Sequence, residues 1–122
     1  MNTNLKLIAI DFLKGAAFGN IEKVFKEHVS TSFIHHNQYF EGTREALMEA
    51  MKEDHLKNPN TDFEVKFCYQ DNNTIIVHSL VTKERMQIAV VHIAKFDQDK
   101  IVELWDLGQV ISEETPNKNG LF

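Results

Sequence analysis

Through the first third of the chain, apolar residues recur every three or four positions. Leu5, Ile8, Ala9, Phe12, Leu13 and Ala16 make one stripe, the mark of a helix that buries a single face. Gly19 and Asn20 stop that helix and cap the next. The second helix is shorter and carries Ile21, Val24, Phe25 and His28 on the same period. The pattern then turns β-rich over residues 31–37, which reads as a short strand with Phe33, Ile34 and two histidines. Thr43 is the expected N-cap of a third helix, with Leu47, Ala50, Met51 and His55 on its apolar side. Asn58, Pro59 and Asn60 end it.

Beyond residue 62 the period drops to two. Phe63, Val65, Phe67 and Tyr69 alternate with Glu64, Lys66, Cys68 and Gln70. Turns are expected at residues 71–73, 83–85 and 97–100. They separate strands over residues 74–82, 86–96 and 101–111. Three helices followed by consecutive antiparallel strands predict an α+β fold, with the N-terminal helices packed on one side of a mainly antiparallel sheet. In residues 86–96 both parities are apolar: Met86, Ile88, Val90 and Phe96 against Ala89, Val91 and Ile93. Helices cover only one face of a sheet, so a homodimer through the other face is expected.

Composition narrows the function. The 122 residues fit one domain over 1–122. Net charge is −5, with no Lys/Arg cluster, so no nucleic-acid partner is expected. No stretch of about 20 apolar residues is present to span a membrane. The first residues lack a basic and apolar leader, and the single Cys68 suits a reducing compartment. Together these predict a cytoplasmic protein. Nine Phe stand beside only two Tyr and one Trp. Rings without a polar handle belong to core or pocket wall.

The residues with chemistry to offer are His35, His36, His78, His92 and Asp106. On strand alternation, His78 shares a face with Ile76 and Leu80, His92 with Val90 and Ala94, and Asp106 with Leu104 and Gly108. If these faces coincide, His78, His92 and Asp106 converge on one cavity between sheet and helices, joined by His36. Asp106 lies amid Leu104, Trp105 and Leu107, poor solvation that favours holding a proton and suits a general acid or base. A single strand histidine is more often a satisfied core residue; convergence is what favours a site. Histidines and an Asp are also metal-ligand types, but no HxH or HxxxH spacing is present, so no metal is expected. Tyr39 and Phe40 read as a flap or a packed turn. Cys68 falls on the polar parity of its strand, and Lys83, Glu84 and Arg85 read as a solvated hairpin tip.

Short segments also carry a resemblance. Phe33-Ile34-His35-His36-Asn37 resembles the YIQHN segment of SnoaL-like proteins, and Gly42-Thr43-Arg44-Glu45-Ala46-Leu47 resembles their G-x-E-x-L helix start. Val77-His78-Ser79 resembles their VHS strand. The stretch from Lys100 to Asp106 resembles GKIVEHWD, and Asn119-Gly120-Leu121-Phe122 resembles the NGMF tail. In order and spacing the set is similar to the SnoaL-like branch of the nuclear transport factor 2-like superfamily, the subgroup described as predicted aldol-condensation enzymes related to polyketide cyclases. The resemblance implies a cone-shaped α+β barrel with a small-molecule pocket at its open end. It implies Asp106 as the acid/base, with His36, Asn37 and His78 lining the pocket. Two positions depart from the family: Leu104 stands for the His of HWD, and His92 for the Asp of VDIFRF.

The expectation is therefore a cofactor-independent acid/base catalyst, of aldol/cyclase or isomerase type, acting on a small hydrophobic carbonyl compound. Asp106, His78 and His92 are the expected catalytic residues; His36, Asn37, Phe33 and Trp105 are the expected substrate contacts. The alternative is a non-catalytic module that binds a small hydrophobic ligand or mediates association.

Overall fold

The structure, a computed structural model, describes residues 4–122. Residues 1–3, part of the segment expected to lack a leader, lie outside that range. Helix α1 (Leu5–Ala17) begins where the Asn4 side chain accepts from the Leu7 N–H at 3.2 Å. It buries Ala9, Phe12, Leu13 and Ala16, the stripe its spacing predicts. Helix α2 (Ile21–His28) buries Ile21, Val24 and Phe25. The two helices meet through Phe12 and Phe25, edge to face at 5.3 Å, and at Gly15. A Cβ on Gly15 would collide with Val24 Cγ1, so the approach depends on bare backbone.

Strand β1 (Val29–His36) follows α2 directly. Helix α3 (Arg44–Lys57) starts where Thr43 Oγ1 accepts from the Ala46 N–H at 3.1 Å. Of its residues only Leu47 is fully buried; Met48 and Met51 pack at the edge of the core. Four strands complete the chain: β2 (Asn60–Asp71), β3 (Thr74–Lys83), β4 (Gln87–Asp97) and β5 (Lys100–Val110). The sheet order is β1-β5-β4-β3-β2. β1 runs parallel to β5 and every other pair is antiparallel. With β1 and β2 as free edges, the curved sheet is not closed. The helices pack on its inner face. Ile75 and Val77 of β3, Ala94 of β4 and Leu104 of β5 point inward into the core they share with α1 and α2. No helix among the described residues is long and apolar enough to cross a membrane.

Two local irregularities change which side chains face inward. In β2 a register shift separates Val65, opposite Ser79, from Phe67, opposite His78. Such a bulge inserts one residue and reverses the alternation beyond it. Phe63 and Val65 therefore face the core, whereas Phe67 and Tyr69 turn outward. Cys68, expected on the polar parity, instead packs against the core, and burial pushes its thiol pKa up. The second correction is at Lys83. It ends β3 on the inward parity of Val81 and is only 8% exposed. Its ammonium donates to Asp54 Oδ2 at 2.8 Å and to the Asn58 carbonyl at 2.6 Å, so it is no solvated hairpin tip.

The α1–α2 contact predicts the behaviour of Gly15. Alanine would improve helix propensity by about 1 kcal/mol, yet its methyl overlaps Val24. Gly15→Ala is expected to lose about 1–3 kcal/mol overall, as overpacked sites do. The loss should shrink when the same change is made in a Val24→Ala background. Urea unfolding of the four proteins measures this, and a Gly15→Ala variant at least as stable as its parent would contradict the packing described.

Candidate functional site

Register decides which residues meet. His92 on β4 pairs with Val77 on β3 and with Asp106 on β5. Paired residues share a face, and directly opposite Cβ atoms lie about 4.5–5.5 Å apart. Val77 is fully buried in the core, so His92 and Asp106 also point inward. They line a cavity of about 380 Å³ between the sheet and helices α1 and α3. Its apolar wall includes Leu13, Ala16, Met51, Phe63, Val81, Ile88 and Val90. Its polar side chains include Tyr39, Asp54, His55, Asn60 and Lys83 besides His92 and Asp106.

Asn37, just past the end of β1, donates from Nδ2 to Asp106 Oδ2 at 3.4 Å. The carboxyl group is thus bonded by Asn37 on the β1 side, and His92 stands opposite it on β4. Trp105 and Leu107, its neighbours in sequence, point to the opposite face and do not wall it in. His92 Nδ1 is buried and has no hydrogen-bond partner among the described residues. Burial holds the His92 pKa below its ordinary 6.5, with the nearby Asp106 carboxylate pulling it back up. The imidazole is therefore neutral at pH 7, with one nitrogen free to donate and the other to accept.

His35 is the inward histidine of β1. It pairs with Leu104, which shares a face with Asp106, and is 5% exposed. Its Nε2 lies 2.9 Å from the Glu41 carbonyl. A carbonyl only accepts, so the proton sits on Nε2 and Nδ1 is bare; Nδ1 is also buried without a partner among the described residues. Burial lowers the pKa of His35, against the Glu41 bond and the attraction of Asp106, both of which raise it. Phe33 and Phe40 flank the ring at 6.2 and 5.1 Å.

Several expectations from the sequence are corrected here. His78 does not share the cavity. It pairs with Val91 on the outer face, between the rings of Phe67 at 5.7 Å and Phe122 at 4.7 Å. His36 also faces outward, stacked on Trp105 at 4.7 Å with Nε2 2.6 Å from Glu103 Oε2. Trp105 therefore belongs to the outer face as well. Phe33 points inward but lies in the core against Phe25, 6.4 Å away, and does not line the cavity. The reason is common to these cases: β1 and β3 carry apolar residues on both parities, so alternation alone left the inward face open. Asn37, His92 and Asp106 are the expected residues that the fold brings together.

Sequence reasoning did not assign His35, Asp54, His55, Asn60 and Lys83 to the site. His55 had a signal, since it continues the apolar side of α3 four residues after Met51. Its ring packs on Gly19, whose φ of +92° ends α1; a Cβ there would collide with the imidazole. Among the described residues, Asp11, Glu27 and His28 form a group of three whose ligand atoms all lie within 4.8 Å of one another. They lie on the helices, outside the cavity wall. His28 Nε2 already donates to Asp11 Oδ2 at 2.7 Å.

No protein-family model matches the chain, and no curated protein matches it. Solved structures do. AclR of Streptomyces galilaeus is 18% identical over 86% of this chain and 78% of that one, with a TM-score of 0.75. A nuclear transport factor 2-like protein of unknown function from Burkholderia xenovorans is 16% identical over 92% and 88%, with a TM-score of 0.72. A SnoaL-like polyketide cyclase from Agrobacterium tumefaciens is 16% identical over 88% and 93%, with a TM-score of 0.71. The fold is thus the SnoaL-like, nuclear transport factor 2-like cone.

The two buried histidines make stability depend on pH. Each has a folded-state pKa below its unfolded value near 6.5, so the unfolded chain binds more protons in the window between the two. Stability is expected to be constant above about pH 7 and to fall as pH drops through 6.5 toward the folded values. Urea midpoints from pH 7.5 down to 5 should show that slope, flattened in His35→Gln and His92→Gln. A wild-type midpoint that rises on acidification would contradict the burial of these rings.

Proposed function

We propose that the cavity performs acid/base chemistry on a small apolar carbonyl compound, carried by His92 and Asp106. The observation behind this is their direct cross-strand pairing on the inner wall of a mostly apolar cavity. The Asp106 carboxylate takes a proton from the carbon next to the carbonyl. The electrons of that C–H bond pass to the carbonyl oxygen, and the neutral His92 imidazole donates its N–H to the enolate so formed. A donor aimed at developing charge in a water-poor site acts strongly. The enolate then attacks a second carbonyl, as in aldol closure, and the alkoxide so formed takes the proton back from Asp106; or the enolate recovers that proton at another carbon. Neither route needs a redox or group-carrying cofactor. Asn37 orients the carboxylate. The likeness to a SnoaL-like polyketide cyclase agrees with a small carbonyl substrate, while the residues carry the argument.

The working unit is read as a homodimer through the outer face of the sheet. Phe67, His78, Val91 and Leu107 form one row across four strands, and Tyr69, Ile76, Ile93 and Trp105 the next. Within these rows Phe67 is 41%, Tyr69 58% and Leu107 58% exposed. Contiguous apolar surface of this kind is what subunits bury.

Proton abstraction is measurable without the natural substrate. The protein in D2O should accelerate exchange at the α-carbon of 2-alkanones, followed by NMR. Asp106→Asn is expected to lose that acceleration by roughly 10²–10⁴-fold while melting as a folded protein; an unchanged rate removes Asp106 from the chemistry. Alkanone binding without exchange in the wild type would favour the binding-only alternative.

Light scattering tests the assembly separately. A dimeric mass at micromolar concentration, reduced to a monomer by Leu107→Glu, is the expected result. A monomeric wild type would sink it.

A further inference from the structure

Three side chains in the cavity wall have hydrogen-bonding capacity left over, and all three lie away from the His92–Asp106 pair. Asn60 donates from Nδ2 to the Ala17 carbonyl at 2.8 Å. That bond fixes the amide, and Oδ1 is left buried with no partner among the described residues. His55 Nδ1 is likewise buried without a partner among them. The Lys83 ammonium has three donors, of which Asp54 and the Asn58 carbonyl take two. Lys83 pairs with Asn60 across the β2–β3 ladder and lies six residues beyond Val77, the neighbour of His92. At the rise of a strand that is roughly 20 Å along β3. Between the two polar ends the wall is apolar, with Phe63, Val81, Ile88 and Val90.

Buried polar atoms are nearly always paired, so their chemistry defines what completes them. Asn60 Oδ1 only accepts and Lys83 only donates. A carboxylate would meet Asn60 Oδ1 and the Asp54 carboxylate with the wrong charge. An ammonium would meet Lys83. A hydroxyl donates to Asn60 and accepts from Lys83 in one group, without adding charge. We propose that the ligand of this cavity is an elongated apolar carbonyl compound bearing a hydroxyl at the end remote from the carbonyl, and that Asn60, His55 and Lys83 receive that hydroxyl. The proposal rests on the reading of His92 and Asp106 as the carbonyl end. A bound water has the same donor and acceptor pattern and is the competing occupant.

The test compares a length series of ω-hydroxy-2-alkanones with the parent 2-alkanones by calorimetric titration. One chain length should show a tightening of about tenfold on adding the hydroxyl. In Lys83→Met and in Asn60→Leu that gain should vanish, while the parent alkanone binds as in the wild type and so reports that the cavity is intact. Equal affinity of hydroxylated and parent compounds at every length means that water serves this end, and overturns the proposal while leaving the carbonyl reading in place. Failure of every parent alkanone to bind or exchange overturns the carbonyl reading, and this proposal with it.

Discussion

The hairpin of β4 and β5 can align in many registers, but one of them brings His92 opposite Asp106. The strands turn back through Asp97 and Lys100, with Gln98 in the left-handed region at φ 55°. Phe96 then stands opposite Ile101, both buried, and a shift beyond that pair passes over Val102 and places Lys95 opposite Glu103. From there Ala94 falls on Leu104, and His92 on Asp106. A slip of one residue in β4 would send every inward side chain of that strand out. Ile93 would enter the cavity and His92 would leave it. The buried pair at the turn, Phe96 and Ile101, and the shift that follows it therefore fix the pairing of His92 with Asp106, which neither Phe96 nor Ile101 touches.

The same packing sets the electrostatics. Burial keeps His35 and His92 neutral near pH 7, and Asp106 is the charged group between them. Interactions among these groups are strengthened because the surrounding wall is poor in water. The arrangement costs stability, since several polar atoms are buried without partners among the described residues. Folded proteins tolerate such groups where a ligand completes them. The rest of the core is conventional, with Phe12, Phe25 and Phe33 stacked edge to face beneath the helices.

The helices were legible in the sequence from their period, and the strands from the turns that bound them. The stripe from Leu5 to Ala16 and the cap Thr43 are local signals, and they survive tertiary packing unchanged, whereas Asn20 precedes α2 without a side-chain capping bond. The face of each strand was less legible. In β3, Ile75, Ile76 and Val77 are consecutive and apolar, so nothing local says whether Val77 or His78 points inward. The answer lies in pairing partners distant in sequence. The bulge in β2 and the inward reach of Lys83 have the same origin. His35 and His36 differ only in parity, and the choice between them is made by Leu104 across the ladder. Asp106 and His92 could be read as facing inward because their apolar neighbours Ala94 and Leu104 share their parity.

The bulge in β2 divides one strand into two independent duties. Ahead of it, Phe63 builds the cavity wall; beyond it, Phe67 and Tyr69 build the outer surface. A substitution on one side leaves the other in register. Over evolutionary time the cavity wall can change while the outer surface stays as it is, or the reverse. An insertion or deletion of one residue within residues 66–70 has no such freedom, because it would exchange the two roles at a stroke.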